Sequence, residues 1–266
     1  MSAAPFVLSV SNRKGGSGKS TTVVNLAAEW AASGRRVLVV DLDTQGHAGL
    51  GLGLTAARGQ PTAHDLFRRP EVDLIAAARP SAWPGLSCVP ADPLFEGEGC
   101  RDPDLLARQL RRPELAERFD LILLDTPPSL DFLLINALTA ADGVLIPMLP
   151  HVLSAEGVSQ LSRLFFRVAR TSNPDLRLLG ILPVMVNPRI NHHQDSLAAV
   201  TRQFGAERMM RGIRSDIALA ESFAAGQPAR VYAPRSRGAM DYFLLAGDLA
   251  QVWRPLSPSA AQEVPA

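Results

Sequence analysis

The sequence is poor in cysteine, in lysine and in long apolar runs, and the first and last of these shortages each exclude a class of protein. Its two cysteines, Cys88 and Cys100, are too few for a disulfide framework and do not form a CxxC metal motif. No stretch reaches the roughly 18 consecutive apolar residues of a transmembrane helix. Residues 1–5 lack the basic region that opens a signal peptide. We therefore expect a cytoplasmic protein.

Lysine is the most unevenly distributed residue type. Only two of the 27 basic residues are lysines, Lys14 and Lys19, and all the others are arginines. Genome base composition explains an arginine excess most simply, which makes the two retained lysines informative. Both lie in one glycine-rich loop, which predicts that this loop needs the compact ammonium of lysine rather than a guanidinium fork.

The remaining composition is that of a globular protein. The chain has 266 residues, of which 47% are hydrophobic and 20% are charged, and its net charge is +1. Apolar runs of strand length alternate with amphipathic stretches of helical period. This pattern predicts one α/β domain built on a doubly wound, mostly parallel sheet with helices on both faces. The strands are expected at residues 6–10, 36–40, 86–89, 121–124, 144–148 and 178–186.

Two parts of the chain depart from this alternation. Residues 55–115 are interrupted by many prolines, and we expect loops and short helices there rather than a second domain. Residues 255–266 are rich in serine, proline and alanine, which predicts a disordered C-terminal tail. The predicted folded domain is therefore residues 1–254.

The strongest motif is the sequence RKGGSGKST at residues 13–21, between the first strand and a helix predicted for residues 20–33. The usual pattern, GxxxxGK followed by serine or threonine, would need glycine where this chain has Arg13. The glycines nevertheless allow consecutive backbone N–H groups to surround a phosphate chain at a helix N-terminus. We expect Lys19 to reach the β and γ phosphates and the Ser20 hydroxyl to bind Mg²⁺. The predicted phosphate-binding residues are Lys14, Gly15, Gly16, Ser17, Gly18, Lys19, Ser20 and Thr21.

This loop resembles the deviant Walker A loop of the ParA/MinD family of P-loop ATPases. The resemblance extends along nearly the whole chain, from Val7 to about residue 253. It implies a P-loop NTPase fold, with ATP and Mg²⁺ as cofactors. It also implies an ATP-dependent homodimer in which Lys14 contacts the nucleotide of the partner. Lys14 and Lys19 are thus candidate catalytic residues.

Two further motifs place carboxylates at the ends of predicted strands. The sequence DLDTQGHA at residues 41–48 is similar to the family signature DxDPQGN, with threonine in place of proline and histidine in place of asparagine. The resemblance implies that Asp43 is catalytic and orients the attacking water, and that Asp41 helps to hold the magnesium shell. The sequence LILLDTPP at residues 121–128 predicts a buried strand that delivers Asp125 to Mg²⁺.

Two later segments are candidates for recognising the base. In MinD-like members an asparagine in the position of Asn187 reads the adenine edge, although Asn-Pro is also ordinary turn chemistry. Residues 213–228 resemble the ParA pattern IPRNVRLAEA followed by GKPI. That resemblance implies that the backbone at Ile213, Arg214 and Asp216 lies beside the adenine. An ordinary loop before a helix is the alternative interpretation.

Basic residues are concentrated late in the chain. Residues 189–237 contain eight arginines and four acidic residues, although the whole chain is almost neutral. Such a local excess can neutralise phosphates, and a solvated arginine face is the alternative. ParA proteins bind DNA non-specifically through basic residues, and the resemblance implies the same here. The predicted DNA contacts are Arg211 and Arg214, followed by Arg202, Arg208, Arg235 and Arg237.

Together these motifs predict a switch ATPase. With ATP it would dimerise and bind nucleoid DNA non-specifically, and it would segregate or position a cargo such as a plasmid, a chromosome, carboxysomes or chemotaxis clusters. Intrinsic hydrolysis would be slow and stimulated by a ParB-like or adaptor protein.

Other functions fit the sequence less well. A MinD-like membrane switch would need a basic amphipathic C-terminal helix, whereas residues 248–255 predict a helix end before a polar tail. A relative of the nitrogenase iron protein would need ligating cysteines. The few residues before the first strand leave no room for a helix-turn-helix, so we do not expect sequence-specific DNA binding.

Overall fold

The computed structural model describes residues 4–57, 59–129, 132–151 and 154–253. Its centre is a seven-stranded sheet. The strands are β1 (Phe6–Val10), β2 (Val37–Asp41), β3 (Arg79–Pro80), β4 (Leu86–Val89), β5 (Leu121–Asp125), β6 (Gly143–Met148) and β7 (Arg177–Pro183). Their order across the sheet is β3-β4-β2-β5-β1-β6-β7, and every pair is parallel except β3 with β4. The predicted doubly wound, mostly parallel sheet in a single domain is confirmed.

Helices connect these strands, as parallel pairing requires. They are α1 (Lys19–Ala32), α2 (His47–Gly51), α3 (Asp65–Arg68), α4 (Leu74–Ala77), α5 (Leu105–Leu110), α6 (Pro113–Arg118), α7 (Phe132–Ala140), α8 (Ser154–Thr171), α9 (Asn191–Phe204), α10 (Ile217–Ala224), α11 (Ala229–Tyr232) and α12 (Arg237–Trp253). In the part of the chain that the structure describes, no helix is long and apolar enough to cross a membrane.

The sheet separates two hydrophobic cores because successive side chains of a strand point to opposite faces. In β2, Val37 and Val39 belong to the core formed with α1 and α12, while Leu38 and Val40 belong to the core formed with α5, α7 and α8. All four side chains are fully buried. A strand buried on both faces therefore appears in the sequence as a continuous apolar run.

The irregular part of the chain is joined to the second of these cores. Within residues 55–115, Leu66, Phe67 and Leu74 on short helices are fully buried in the same cluster as the central strands. The region is therefore part of the one domain, as predicted. The tail predicted for residues 255–266 lies outside the described residues, so the domain boundary at residue 254 stays a prediction.

The carboxyl ends of three central strands lie side by side. Asp125 at the end of β5 pairs in register with Val10 of β1 and with Asp41 of β2. Because these strands are parallel, the loops that follow them meet at one edge of the sheet. This edge is where open α/β sheets bind ligands.

Candidate nucleotide-binding site

The glycine-rich loop joins the end of β1 to the start of α1. Buried Asn12 fastens the beginning of this loop, because its side chain donates to the carbonyl of Pro147 and accepts the N–H of Lys14 at 3.0 Å. Gly16 and Gly18 have φ values of 70° and 81°, which other residues rarely adopt. No side chain caps the N-terminus of α1. The first-turn N–H groups can therefore bind an anion.

Lys19 lies at the start of α1 with only 6% of its surface exposed. Burial lowers the pKa of this lysine, and the carboxylates of Asp125 and Asp43 oppose that effect. Lys19 also lines a cavity beside the glycine-rich loop. Its contact with the β and γ phosphates stays a prediction.

Asp125 is the clearest sign that a cation belongs at this site. Its side chain is fully buried, and neither carboxylate oxygen has a hydrogen-bond partner among the described residues. Burial raises the pKa of Asp125 to about 7, while Ser20 and Lys19 oppose the rise. An unpaired buried carboxylate is costly unless it meets a cation or a donor. Together with the neighbouring Ser20 hydroxyl, it fits the oxygen-rich coordination that Mg²⁺ prefers.

The protein supplies only part of such a metal shell. No group of three or more His, Cys, Asp or Glu side chains that could hold a metal occurs among the residues described. Mg²⁺ is usually bound by one or two protein oxygens together with phosphates and waters. The donor set of Ser20 and Asp125 therefore fits a magnesium ion that arrives with a nucleotide.

Asp41 and Asp43 differ in what their oxygens do. Asp41 is fully buried and accepts the N–H groups of Asp43 at 3.2 Å and Gly49 at 3.0 Å, so it holds the loop after β2 in place. Burial and nearby Asp125 raise its pKa. Asp43 accepts the N–H of Gln45 through one oxygen at 3.1 Å and faces the phosphate loop. The magnesium role predicted for Asp41 stays a prediction, since both its oxygens already serve the backbone.

Two cavities meet at the phosphate loop. One of about 300 Å³ is lined by residues 15–21 and Asp43. The other, of about 680 Å³, shares Gly18 and Thr21 with the first and is largely apolar. The sequence did not indicate four of the residues that line these cavities. His47, Met185 and Phe223 line both cavities, and Gln45 lines the first.

Comparison with known proteins identifies the family. A sequence-family profile described as an AAA domain matches residues 6–178. The chromosome-partitioning ATPase Soj of Thermus thermophilus is 39% identical over 91% of this chain and 94% of its own length. The chromosome partitioning protein ParA of Myxococcus xanthus is 36% identical over 95% of this chain and 90% of its own length. The chain belongs to the ParA/MinD family of P-loop ATPases.

One solved structure shows the ligands of a relative. Cobyrinic acid a,c-diamide synthase of Mycobacterium smegmatis, with a bound ATP analogue and magnesium, is 31% identical and superposes with a TM-score of 0.77. The match covers 94% of this chain and 96% of that one. The prediction of ATP and Mg²⁺ as the cofactors agrees with these ligands.

In this ParA/MinD-family chain, the segments predicted to recognise the base lie close to the phosphate loop. Ile213, Arg214 and Asp216 line the 680 Å³ cavity that also reaches Gly18. They are held there because the chain after β7 pairs with them: the N–H of Val186 donates to the Ile213 carbonyl at 2.9 Å. The structure thus brings together two segments that the sequence predicted separately.

Asn187 lies in an adjoining groove of about 500 Å³ that it shares with Arg214 and Ser215. Its side-chain oxygen accepts the N–H of Arg189 at 3.0 Å, as in the Asn-Pro turn considered as the alternative. The same side chain could still offer its amide group to a base, so its role in adenine recognition stays a prediction.

The two foremost candidates for DNA contact are held by acidic residues of α12. The Arg214 guanidinium contacts both oxygens of Asp241 at 2.8 and 2.9 Å, and its backbone N–H donates to Asp241 as well. Arg211 donates to Asp248 at 2.9 Å. No sequence motif pointed to these two aspartates. A guanidinium carries five N–H donors, so each arginine can contact a phosphate while it stays paired, although the aspartate offsets its positive charge.

The other candidates differ from these two. Arg208 has only a distant pairing with Glu207, at 3.9 Å. The described residues form no ion pair with Arg202, Arg235 or Arg237, and all three side chains are exposed. Phosphate contact through these arginines requires no rearrangement of the fold. All six residues remain predicted DNA contacts.

Proposed function

We propose that the protein is an ATP-dependent switch that dimerises around two nucleotides and binds DNA non-specifically in that state. The observation that carries the proposal is the buried, unpaired Asp125 carboxylate beside Lys19 and Ser20 at an uncapped helix N-terminus. This arrangement suits a nucleotide with its magnesium ion. Hydrolysis would end the bound state.

Each residue has a defined task in this proposal. The backbone N–H groups at the start of α1 and the Lys19 ammonium bind and orient the phosphates. Ser20 and Asp125 would hold Mg²⁺, which would neutralise phosphate charge. Asp43 would orient the attacking water. One of its oxygens accepts the N–H of Gln45, and the loop that Asp41 stabilises does not use the other, which can therefore accept from a water. A switch of this kind needs slow intrinsic turnover, with stimulation by a ParB-like or adaptor protein.

The tip of the phosphate loop supports dimerisation. Gly15 and Gly16 are exposed, and a Cβ added at Gly15 would meet no atom within 4 Å. The φ of Gly15 is not among the positive values, so neither space nor backbone conformation requires glycine there. Close approach of a second phosphate loop would require it. Lys14 forms no ion pair with the described residues, so its ammonium is available to a partner's nucleotide.

Dimerisation would also strengthen DNA binding. A few arginine–phosphate contacts bind weakly at physiological salt, whereas two copies of the same basic segment on one duplex bind much more tightly. We propose a cytoplasmic, nucleoid-associated protein whose cargo is a chromosome, a plasmid or a large protein assembly. Its relatives Soj of Thermus thermophilus and ParA of Myxococcus xanthus are chromosome-partitioning proteins, which supports the first of these.

A membrane-bound switch is the second candidate, and one observation favours it. Met240, Phe243, Leu244 and Val252 of α12 are all exposed although they are large and apolar. An exposed apolar helix face can lie in a lipid interface. The sequence prediction that no membrane is involved therefore needs a direct test with lipid vesicles.

Substitution of Gly15 tests the proposed dimer. In Mg-ATP we expect the wild type to elute as a dimer and Gly15→Val to stay monomeric, because the added side chain would separate the two loops. Size-exclusion chromatography with light scattering measures both masses. Gly247→Val is the matched control, since a Cβ there also meets nothing within 4 Å. Equal dimer fractions for wild type and Gly15→Val would refute the proposed interface.

A further inference from the structure

The outer face of α8 carries a row of side chains that the nucleotide switch does not use. Arg163, Phe166, Arg167 and Arg170 are spaced at i, i+3, i+4 and i+7, so they share one face of the helix. All four are exposed, and they line a shallow groove of about 480 Å³. We call this row the α8 stripe.

The inner face of the same helix accounts for its stability without these residues. Val158, Leu161, Leu164, Phe165 and Val168 are buried in the core against the sheet. Phe166 makes an edge contact with the ring of Phe165, and 61% of its surface is exposed. Folding therefore does not explain why a large aromatic residue lies between the three arginines.

The three arginines have no acidic partners in the described part of the chain. None of Arg163, Arg167 and Arg170 forms an ion pair, whereas Arg211 and Arg214 each pair with a carboxylate of α12. Over seven residues of helix they span about 10 Å. The stripe is consequently a compact positive surface with an apolar centre.

We propose that the α8 stripe binds an acidic segment of a partner protein that carries an apolar side chain among its carboxylates. Guanidinium groups form bidentate hydrogen bonds with carboxylates, and arginine and aromatic residues are enriched at the centres of protein interfaces. Duplex DNA could satisfy the arginines, but its charged backbone buries an aromatic ring less well than an apolar side chain does. The aromatic ring thus favours a protein segment over nucleic acid.

The position of the stripe keeps it available in either nucleotide state. The N-terminal half of α8 lies at the phosphate-loop edge of the sheet, where Arg13 donates to Gln160. The helix runs from the end of β6 to the start of β7, so its C-terminal half lies toward the opposite edge. Two phosphate loops that meet face to face would leave this half uncovered.

A labelled peptide tests the proposal directly. The probe is a fluorescein-labelled peptide with glutamates at i, i+4 and i+7 and a leucine at i+3, and a second peptide has alanine in place of the leucine. Binding is followed by fluorescence anisotropy with the full-length protein in ADP, a state in which the proposed switch does not bind DNA. We expect the wild type to bind the leucine peptide more tightly than the alanine peptide.

Variants of the stripe separate it from general charge. Arg163→Glu, Arg167→Glu and Arg170→Glu combined should weaken leucine-peptide binding at least about tenfold. Phe166→Ala should remove the preference for leucine over alanine. The matched control combines Arg35→Glu, Arg111→Glu and Arg118→Glu, which change the same charge at other exposed sites and should leave binding within about twofold.

Three results would overturn the proposal. The first is a wild type that binds neither peptide, and the second is equal weakening by the stripe variant and its control. The third is a stripe variant that loses duplex DNA in ATP but keeps the peptide, which would make the α8 stripe a nucleic-acid surface. Circular dichroism confirms that each variant is folded.

Discussion

The two lysines of the chain have different environments, and this difference separates their roles. Lys19 is buried beside Asp125 and Asp43, whereas Lys14 is half-buried and forms no ion pair with the described residues. Removing Lys19 would take the buried cation out of the predicted phosphate site. Removing Lys14 changes only the outer side of the loop.

We expect Lys19→Ala to lose nucleotide binding and Lys14→Ala to retain it in the monomer. Titration with a fluorescent ATP analogue at low protein concentration measures both. The loss for Lys19→Ala should be tenfold or more, about 1.4 kcal/mol or above. Equal weakening by the two substitutions would show that the loop responds to charge in general rather than to the position of one ammonium.

Asp43 gives a prediction for the hydrolytic step. Asp43→Ala should still bind Mg-ATP and dimerise, because the phosphate loop and Asp125 remain intact, while phosphate release should slow at least about tenfold. A continuous phosphate assay measures the rate, and Asp175→Ala, an exposed aspartate away from the loop, is the control. Unchanged turnover in the Asp43 variant would remove this residue from the mechanism.

Single residues with strong local chemistry were the easiest part of the site to predict. Lys19, Ser20 and Asp125 each follow or precede a recognisable strand or helix, so the sequence indicated both their identity and their place. Asp241 could not be predicted, because an aspartate inside an amphipathic helix has no signature until its partner Arg214 is known. Phe223 and Met185 were missed for the same reason: they reach the cavity through the fold of distant segments.

The contact between α1 and α12 connects the phosphate loop to the C-terminal helix. The Trp30 indole donates to the Ala246 carbonyl at 3.2 Å, and the hydroxyls of Tyr242 and Thr22 lie 3.1 Å apart. Tyr242 is only 2% exposed. The start of α1 is therefore held against a well-packed neighbour.

Tyr242→Ala should consequently destabilise the fold. Loss of a buried aromatic side chain costs about 3–5 kcal/mol. The adjacent Phe243→Ala is the matched control, since Phe243 is 58% exposed and its loss should change the free energy of unfolding by about 0.5 kcal/mol or less. Urea denaturation followed by circular dichroism measures both. Similar values for the two variants would contradict this packing.

The sequence predicted the presence of strands and long helices more accurately than the residues at which they end. The apolar run at residues 178–186 predicts one long strand, yet β7 ends at Pro183. Met185 adopts a φ of 55°, and Val186 pairs with the segment near Ile213 instead of extending the sheet. A hydrophobic pattern shows that a segment is buried but does not show which neighbour it pairs with.

The distribution of charge over the molecule could be predicted only in part. The sequence showed that residues 189–237 hold an excess of arginine. It could not show that Arg211 and Arg214 pair with aspartates of α12, or that no described residue forms an ion pair with Arg235 or Arg237. Nor did it indicate the α8 stripe. Arginines at helical spacing can be assigned to one exposed surface only when the opposite face of the helix is known to be buried.

DNA binding by the ATP-bound protein is the most direct test of the proposed switch. Fluorescence anisotropy of a labelled duplex of arbitrary sequence is measured with the wild type in Mg-ATP, in Mg-ADP and without nucleotide, and with Gly15→Val in Mg-ATP. Co-sedimentation with anionic liposomes is measured under the same conditions. We predict tight binding to any sequence for the wild type in ATP alone, with affinity that falls as salt rises. Absence of ATP-dependent DNA binding at low salt, together with ATP-dependent binding to liposomes, would contradict the account and establish the membrane-bound switch instead.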